Sequence, residues 1–309
     1  MSSAQDLDWY ASHSAVTSPA GLSSLLSDLP ASVAELRHVA HGLVIHYRDD
    51  HPLEAGVPKE RLAEIDSRYA ERMLGRLAEL QAGSLLDARA PTQRLVGCCR
   101  DFTVLFLAMA REGRIPARGR VGFARYFVAK LGLDHEVAEV WDGEEERWRL
   151  VDAELAEDHV DPNDGRRIDP LDVPRDRFLV GGKAWQLCRA GEADPEAFMV
   201  DPGLDLEATR SWRYLQHNVI LDLAALNKLE MLLWDAWGLA DHRSEDPRDL
   251  DLLDRIAHVT ASPDPTVGDL RELYAVDSRL SVPAKVTSYD PLGGPPRDVT
   301  LERPIPDAP

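Results

Sequence analysis

The stretch Gly97-Cys98-Cys99-Arg100-Asp101-Phe102, running on to Arg111-Glu112-Gly113-Arg114-Ile115-Pro116-Ala117-Arg118, decides how this chain is read. Phe102 to Ala110 is almost wholly apolar and carries few β-branched residues, so it predicts a buried helix. Gly113 supplies the stop and Pro116 follows shortly after. Cys99 then lies at the helix N-terminus. Free amide N–H groups and the macrodipole there favour a thiolate over a thiol, an arrangement suited to a cysteine nucleophile.

The partners of such a nucleophile lie downstream. His135 opens His-Glu-Val-Ala-Glu-Val-Trp141, and Asp152 closes Arg-Trp-Arg-Leu-Val-Asp152. Both segments are rich in Val, Leu and Trp. Asp142-Gly143-Glu144-Glu145 separates them, which is a hairpin signature. The midpoint between His135 and Asp152 falls between Gly143 and Glu144, so a regular hairpin sets the two opposite each other on one face. That places a base beside an orienting carboxylate, as thiol activation requires. The element order of helix followed by three strands predicts an α+β fold, with the nucleophile helix packed on an antiparallel sheet.

These residues together resemble the transglutaminase-like superfamily, whose members share a papain-like Cys-His-Asp core. The resemblance runs through Gly97, Cys99, Arg100, Asp101 and Phe102, then Ile115, Pro116 and Arg118, and covers roughly residues 90 to 160. It implies Cys99 as nucleophile, His135 as base and Asp152 as orienting acid. It also suggests Gln93, six positions before Cys99, as an oxyanion-hole donor beside the Cys99 N–H; the alternative is an exposed loop glutamine. One departure stands out: Glu136 follows the histidine where the family often has an aromatic residue. Glu136 and Trp234 are the candidate substrate contacts. Pro-Arg-Asp-Arg-Phe-Leu179 and Ala-Ala-Leu-Asn-Lys-Leu-Glu230 look similar to a largely uncharacterised bacterial group of transglutaminase-like proteins.

The 309 residues suffice for a substantial core. A formal charge of -19 argues against a nucleic-acid partner, which needs clustered basic surface, and against anionic membranes. Of the three cysteines, Cys98 and Cys99 are adjacent and make a poor structural disulfide, leaving Cys188 a packed core thiol. A cytoplasmic location is expected. Met1 to Asp8 holds no apolar signal segment, and no apolar run reaches membrane-spanning length.

Residues 1–90 read as a helical region packed on the core: a short helix from Ser18-Pro19 to Leu29-Pro30, a stronger one over 32–46, and a long one over 60–80 after Pro58. Residues 91–160 form the catalytic core, with a strand over 117–128. Residues 161–240 complete the domain, through a loop over 156–180, a short helix over 184–190 and a helix over 211–237 that carries Trp234 and Trp237. Residues 241–309 form a C-terminal extension, with helices from Ser244 to His258 and Pro265 to Tyr274. From Pro283 it reads as a tail that wraps the body or an adjoining subunit, with its last residues frayed.

The chemistry expected is acyl transfer through a Cys99 thioester. The partner is a peptide or small-molecule acyl donor, and water or an amine is the acceptor. Cys98 is the rival nucleophile, while Asp101 reads as a first-turn acid at the helix start. No cofactor or metal is expected, because His38, His41, His46 and His51 lack a recognisable ligand spacing. The alternative class is a catalytically inactive protein-binding module. A metal-dependent hydrolase using these histidines ranks last.

Overall fold

The computed structural model describes residues 2–204 and 206–302. In chain order the helices are α1 (Ala4–Tyr10), α2 (Val33–Leu43), α3 (Ala70–Leu80), α4 (Cys99–Glu112), α5 (Gly181–Arg189), α6 (Ser211–Leu226), α7 (Pro247–Thr260) and α8 (Val267–Val276). The strands are β1 (Val44–His46), β2 (Leu95–Gly97), β3 (Ala117–Ala124), β4 (Gly132–Asp142), β5 (Arg147–Val151), β6 (Phe178–Val180), β7 (Phe198–Met199), β8 (Asp235–Ala236), β9 (Lys285–Ser288) and β10 (Arg297–Thr300). The fold is α+β, with α4 against a curled sheet, as the sequence predicts.

The sheet runs β5-β4-β3-β6, all antiparallel, with β7 parallel to one end of β4. Ala138 and Val140 of β4 join Ala117 in one apolar cluster with α2, α3 and α4. Val121 and Phe123 meet α5 and α6 in a second cluster that extends to α7 and α8. Val137 and Leu150 face the other way, beneath the 155–177 loop. Successive strand residues alternate faces, so His135 lies on the loop side and Glu136 on the helix side.

Buried charge couples sheet to helices. Arg120 forms a two-pronged pair with Asp222 of α6 at 2.9 Å on each prong and also reaches Glu139 at 3.0 Å. Arg118 reaches the same Glu139 at 2.7 Å. All four side chains are shut off from solvent.

Tertiary contacts reshape several sequence expectations. The 60–80 helix is broken into a 3-10 segment over Lys59–Asp66 and α3. Between them the carbonyls of Ser67 and Arg68 turn to the buried Arg100 guanidinium, at 2.9 and 2.5 Å, and are lost to a continuous helix. The 32–46 helix stops at Leu43, where β1 begins and pairs in parallel with β2. The 211–237 helix ends at Leu226. Lys228 sits at φ +63°, and the bonds Lys228 N–H to Ala225 O and Leu229 N–H to Ala224 O close the helix. The Lys228 ammonium donates to Trp9 O, Ser12 O and Ser12 Oγ, so a tertiary anchor holds the left-handed residue in place. Trp234 and Trp237 consequently lie beyond the helix. The strand expected over 117–128 stops at Ala124, and α1 and β6 were not foreseen.

The β4–β5 register also differs from the symmetric expectation. Ala138 pairs with Val151 and Asp142 with Arg147, so the turn is centred between Glu144 and Glu145. Asp142 Oδ1 accepts the N–H groups of Glu144 and Glu145, which delays the reversal by one residue. Residues 285–300 form the β9–β10 hairpin, joined to β8. The fraying expected of residues 304–309 lies outside the described residues. Among the described residues no helix is long and apolar enough to cross a membrane.

Candidate active site

Local sequence places Cys99. Asp101 accepts the Cys98 N–H at 2.9 Å, capping the start of α4, and Cys99 becomes its first residue. The strand that delivers it is braced from outside. Glu64, held by Arg61 and Arg76, accepts the Val96 N–H at 3.0 Å. One turn into α4, Thr103 Oγ1 donates to the carbonyl of Glu136 at 2.9 Å. That bond ties the helix bearing Cys99 to the strand bearing His135.

His135 Nε2 lies 2.9 Å from Asp152 Oδ2. The two-residue register shift makes them diagonal rather than opposite neighbours, but both remain on one face. Asp152 is itself fixed. Its Oδ2 accepts from the Tyr126 hydroxyl at 2.6 Å, its Oδ1 from the N–H groups of Glu154 and Leu155, and its carbonyl from Arg37. The rings of Tyr126, Phe127 and Phe178 stand edge-on to the imidazole. With Nε2 engaged, Nδ1 is the free nitrogen, 3.8 Å from Glu154 Oε2. A ring nitrogen of His135, Cys99 Sγ and a Glu154 oxygen all lie within 4.8 Å of one another.

The electrostatics follow from burial and crowded acids. Burial pushes Asp152 up, but His135, the Tyr126 hydroxyl and the Leu155 N–H outweigh it and bring the carboxyl down to about 2. Burial pushes His135 down, and Asp152, Glu154 and Asp134 raise it above the ordinary imidazole value. Burial lifts Glu154 to about 8, helped by Asp152, Asp49 and Asp50 against His135. Asp134, bonded to the Tyr214 hydroxyl and Asn218, is lifted by burial to about 6. The Cys99 thiol is raised well above its ordinary value by its hydrogen bond with Cys98, by burial and by nearby Glu154 and Asp134. The Cys98 hydrogen bond and burial, with the acids adding to them, therefore reverse the lowering expected from the helix N-terminus. The resting thiol is held protonated.

The structure gathers Cys99, His135 and Asp152, but not Gln93 or Glu136. Gln93 lies in the turn before β2, where its Oε1 accepts the Ala90 N–H at 3.0 Å, so it closes its own turn. Glu136 is 1% exposed, and its carboxyl oxygens have no hydrogen-bond partner. Burial raises its pKa well above the ordinary value, so it is a neutral acid inside the core, on the face opposite His135. Trp234 is half-buried and packs against Ile45 and Val96 of the β1–β2 pair and against the cluster that contains Cys99. Cys188 lies buried in the α5–α7 cluster, with its thiol pushed up by burial to about 12. Sequence reading gave Tyr126 and Glu154 no role in the site and set His46 aside with the histidines that lack a ligand spacing. The D-x-E spacing of Asp152 and Glu154 was the available signal for Glu154.

Residues 61–153 match the family model of the transglutaminase-like superfamily. They form a transglutaminase-like core. The matched segment contains Cys99, His135 and Asp152, and it begins well before the 90–160 stretch on which the resemblance was read. No curated protein matches the chain. Among solved structures, the chain is similar to a protein from Cytophaga hutchinsonii named provisionally as a cysteine protease. The two are 16% identical over 57% of this chain, with a TM-score of 0.35. The chain spans 45% of the length of that protein. The transglutaminase-like fold is one that cysteine-dependent enzymes use.

Proposed function

We propose that the transglutaminase-like core catalyses acyl transfer through a thioester on Cys99. The observation that carries this reading is the placement of Cys99 Sγ within 4.8 Å of a His135 ring nitrogen while the other face of that imidazole is held by Asp152. His135 Nδ1 takes the thiol proton as sulfur attacks an amide, ester or thioester carbonyl. Asp152 holds the tautomer and stabilises the imidazolium. The Cys99 N–H has no partner within α4, because it belongs to the first turn, and serves the oxyanion. The imidazolium returns its proton to the leaving group. Water or an amine then attacks the thioester, with His135 again as base. Hydrolysis and transfer differ only in that acceptor.

The test is acetylation by p-nitrophenyl acetate, read by intact mass and peptide mapping. The expected result is one acetyl group on Cys99, released by hydroxylamine, absent in Cys99→Ala and formed far more slowly in His135→Ala. Labelling of Cys98 or Cys188 instead, or a rate indifferent to His135, overturns the assignment. The binding-module alternative draws on one observation: Cys99 is only 6% and His135 only 2% exposed, so the pair is covered. An unlabelled Cys99 in a folded protein selects that alternative.

A further inference from the structure

Acyl transfer makes no use of Glu154. Its Oε2 is buried and without a hydrogen-bond partner, yet it stands 3.8 Å from His135 Nδ1. The three side chains Cys99, His135 and Glu154 offer one sulfur, one imidazole nitrogen and one carboxylate oxygen within 4.8 Å of one another. Donors around a tetrahedral Zn2+ sit about 3.3–3.8 Å apart, given its bond lengths of about 2.0–2.3 Å, so small side-chain rotations close the set. Sulfur and imidazole select Zn2+ or a similar transition metal over Ca2+ or Mg2+. The remaining imidazole nitrogen already bonds a carboxylate, Asp152, which is the outer-shell arrangement that orients a metal-bound histidine. Glu154 is the most open of the three, its side chain 16% exposed, and provides the way in.

We propose that Cys99, His135 and Glu154 form a site for a divalent transition-metal ion of the zinc class, with water completing the coordination. A second trio, His46, Asp49 and Glu154, shares the same carboxylate. It is the poorer site, because His46 Nδ1 is occupied by the N–H groups of Asp49 and Arg48, at 3.0 and 3.3 Å. Binding releases the Cys99 thiol proton to solvent, and the ion then holds the thiolate and the imidazole lone pair together. Where acyl transfer operates, which rests on the function proposed above, a loaded protein is silent and a chelator restores it. Binding itself requires no activity.

The experiment titrates the metal-stripped full chain with Co2+ and reads thiolate-to-cobalt absorption in the near ultraviolet. One equivalent producing the band, displacement by Zn2+ and restoration of Cys99 alkylation by EDTA are the expected results. Cys99→Ala loses the band. Glu154→Gln weakens binding at least tenfold, and Asp152→Asn weakens it about 10–100-fold through the histidine. His46→Ala leaves it unchanged. Circular dichroism checks that each variant is folded, and Cd2+ on the unmodified chain gives an independent thiolate band. No thiolate band at saturating metal overturns the site. A Glu154→Gln variant that binds normally, or a His46→Ala variant that fails to bind, also overturns the assignment.

Discussion

Tyr126 and His135 converge on a single oxygen: Asp152 Oδ2 takes the phenol hydroxyl at 2.6 Å and faces imidazole Nε2 at 2.9 Å. The phenol holds the carboxylate charged and still, leaving its negative end aimed at the imidazole. Removing it with Tyr126→Phe is expected to raise the Asp152 pKa and lower stability by about 1–2 kcal/mol. Cys99 acetylation should slow about tenfold with KM for the ester unchanged, since orientation rather than binding is lost. Stopped-flow acetylation across pH measures this. An unchanged pH profile would reduce Tyr126 to packing.

Glu154 makes stability fall as pH rises from about 4.3 to about 8. Its folded pKa of about 8 lies above the unfolded value of about 4.3, so the folded state holds the proton more tightly. Its contribution is full below the unfolded value and is lost as pH rises through about 8. Glu154→Gln, which cannot ionise, should flatten that decline. Urea midpoints at intervals from pH 5 to 9 decide it; parallel curves for both proteins contradict the assignment.

Thr103 joins the helix that bears Cys99 to the strand that bears His135 through the Glu136 carbonyl. Thr103→Val keeps the shape and removes the donor, leaving a buried carbonyl unpaired. A loss of about 1–3 kcal/mol is expected, together with slower Cys99 acetylation. Thr103→Ser, which keeps the hydroxyl, should recover most of the acetylation rate. Failure of that rescue would mean that the methyl group, not the bond, matters.

Arg120 pairs with Asp222 and Glu139 with no access to solvent. Arg120→Met strands Asp222 in the core, while Glu139 keeps Arg118 and Arg175, and should cost about 3–5 kcal/mol. Chemical denaturation gives the figure, and a cost under 1 kcal/mol would show that water reaches the network.

Helix α4 was legible because everything that makes it is local: an apolar run, an acid in the first turn and a glycine after the last. The β4–β5 hairpin was legible for the same reason, although Asp142 moved its register. The parity of strand residues survived that shift, which is why His135 and Asp152 still meet. Glu136 was misread as a cleft residue, although alternation along β4 already sends it away from His135. The break at Ser67 and Arg68 could not be read, because the group that takes their carbonyls, Arg100, comes from 32 residues or more away. The end of α6 was hidden likewise, since Lys228 is held by Trp9 and Ser12.

By itself, then, the sequence determined helix α4, the hairpin and the candidate Cys99, His135 and Asp152, because short-range periodicity, capping and turn chemistry act within a few residues. Only the tertiary structure decided what surrounds them. Tyr126 and His46 arrive from segments far from the hairpin turn, and burial in the assembled core raises the Cys99 thiol. Those are properties of distance and solvent exclusion, which no local pattern encodes.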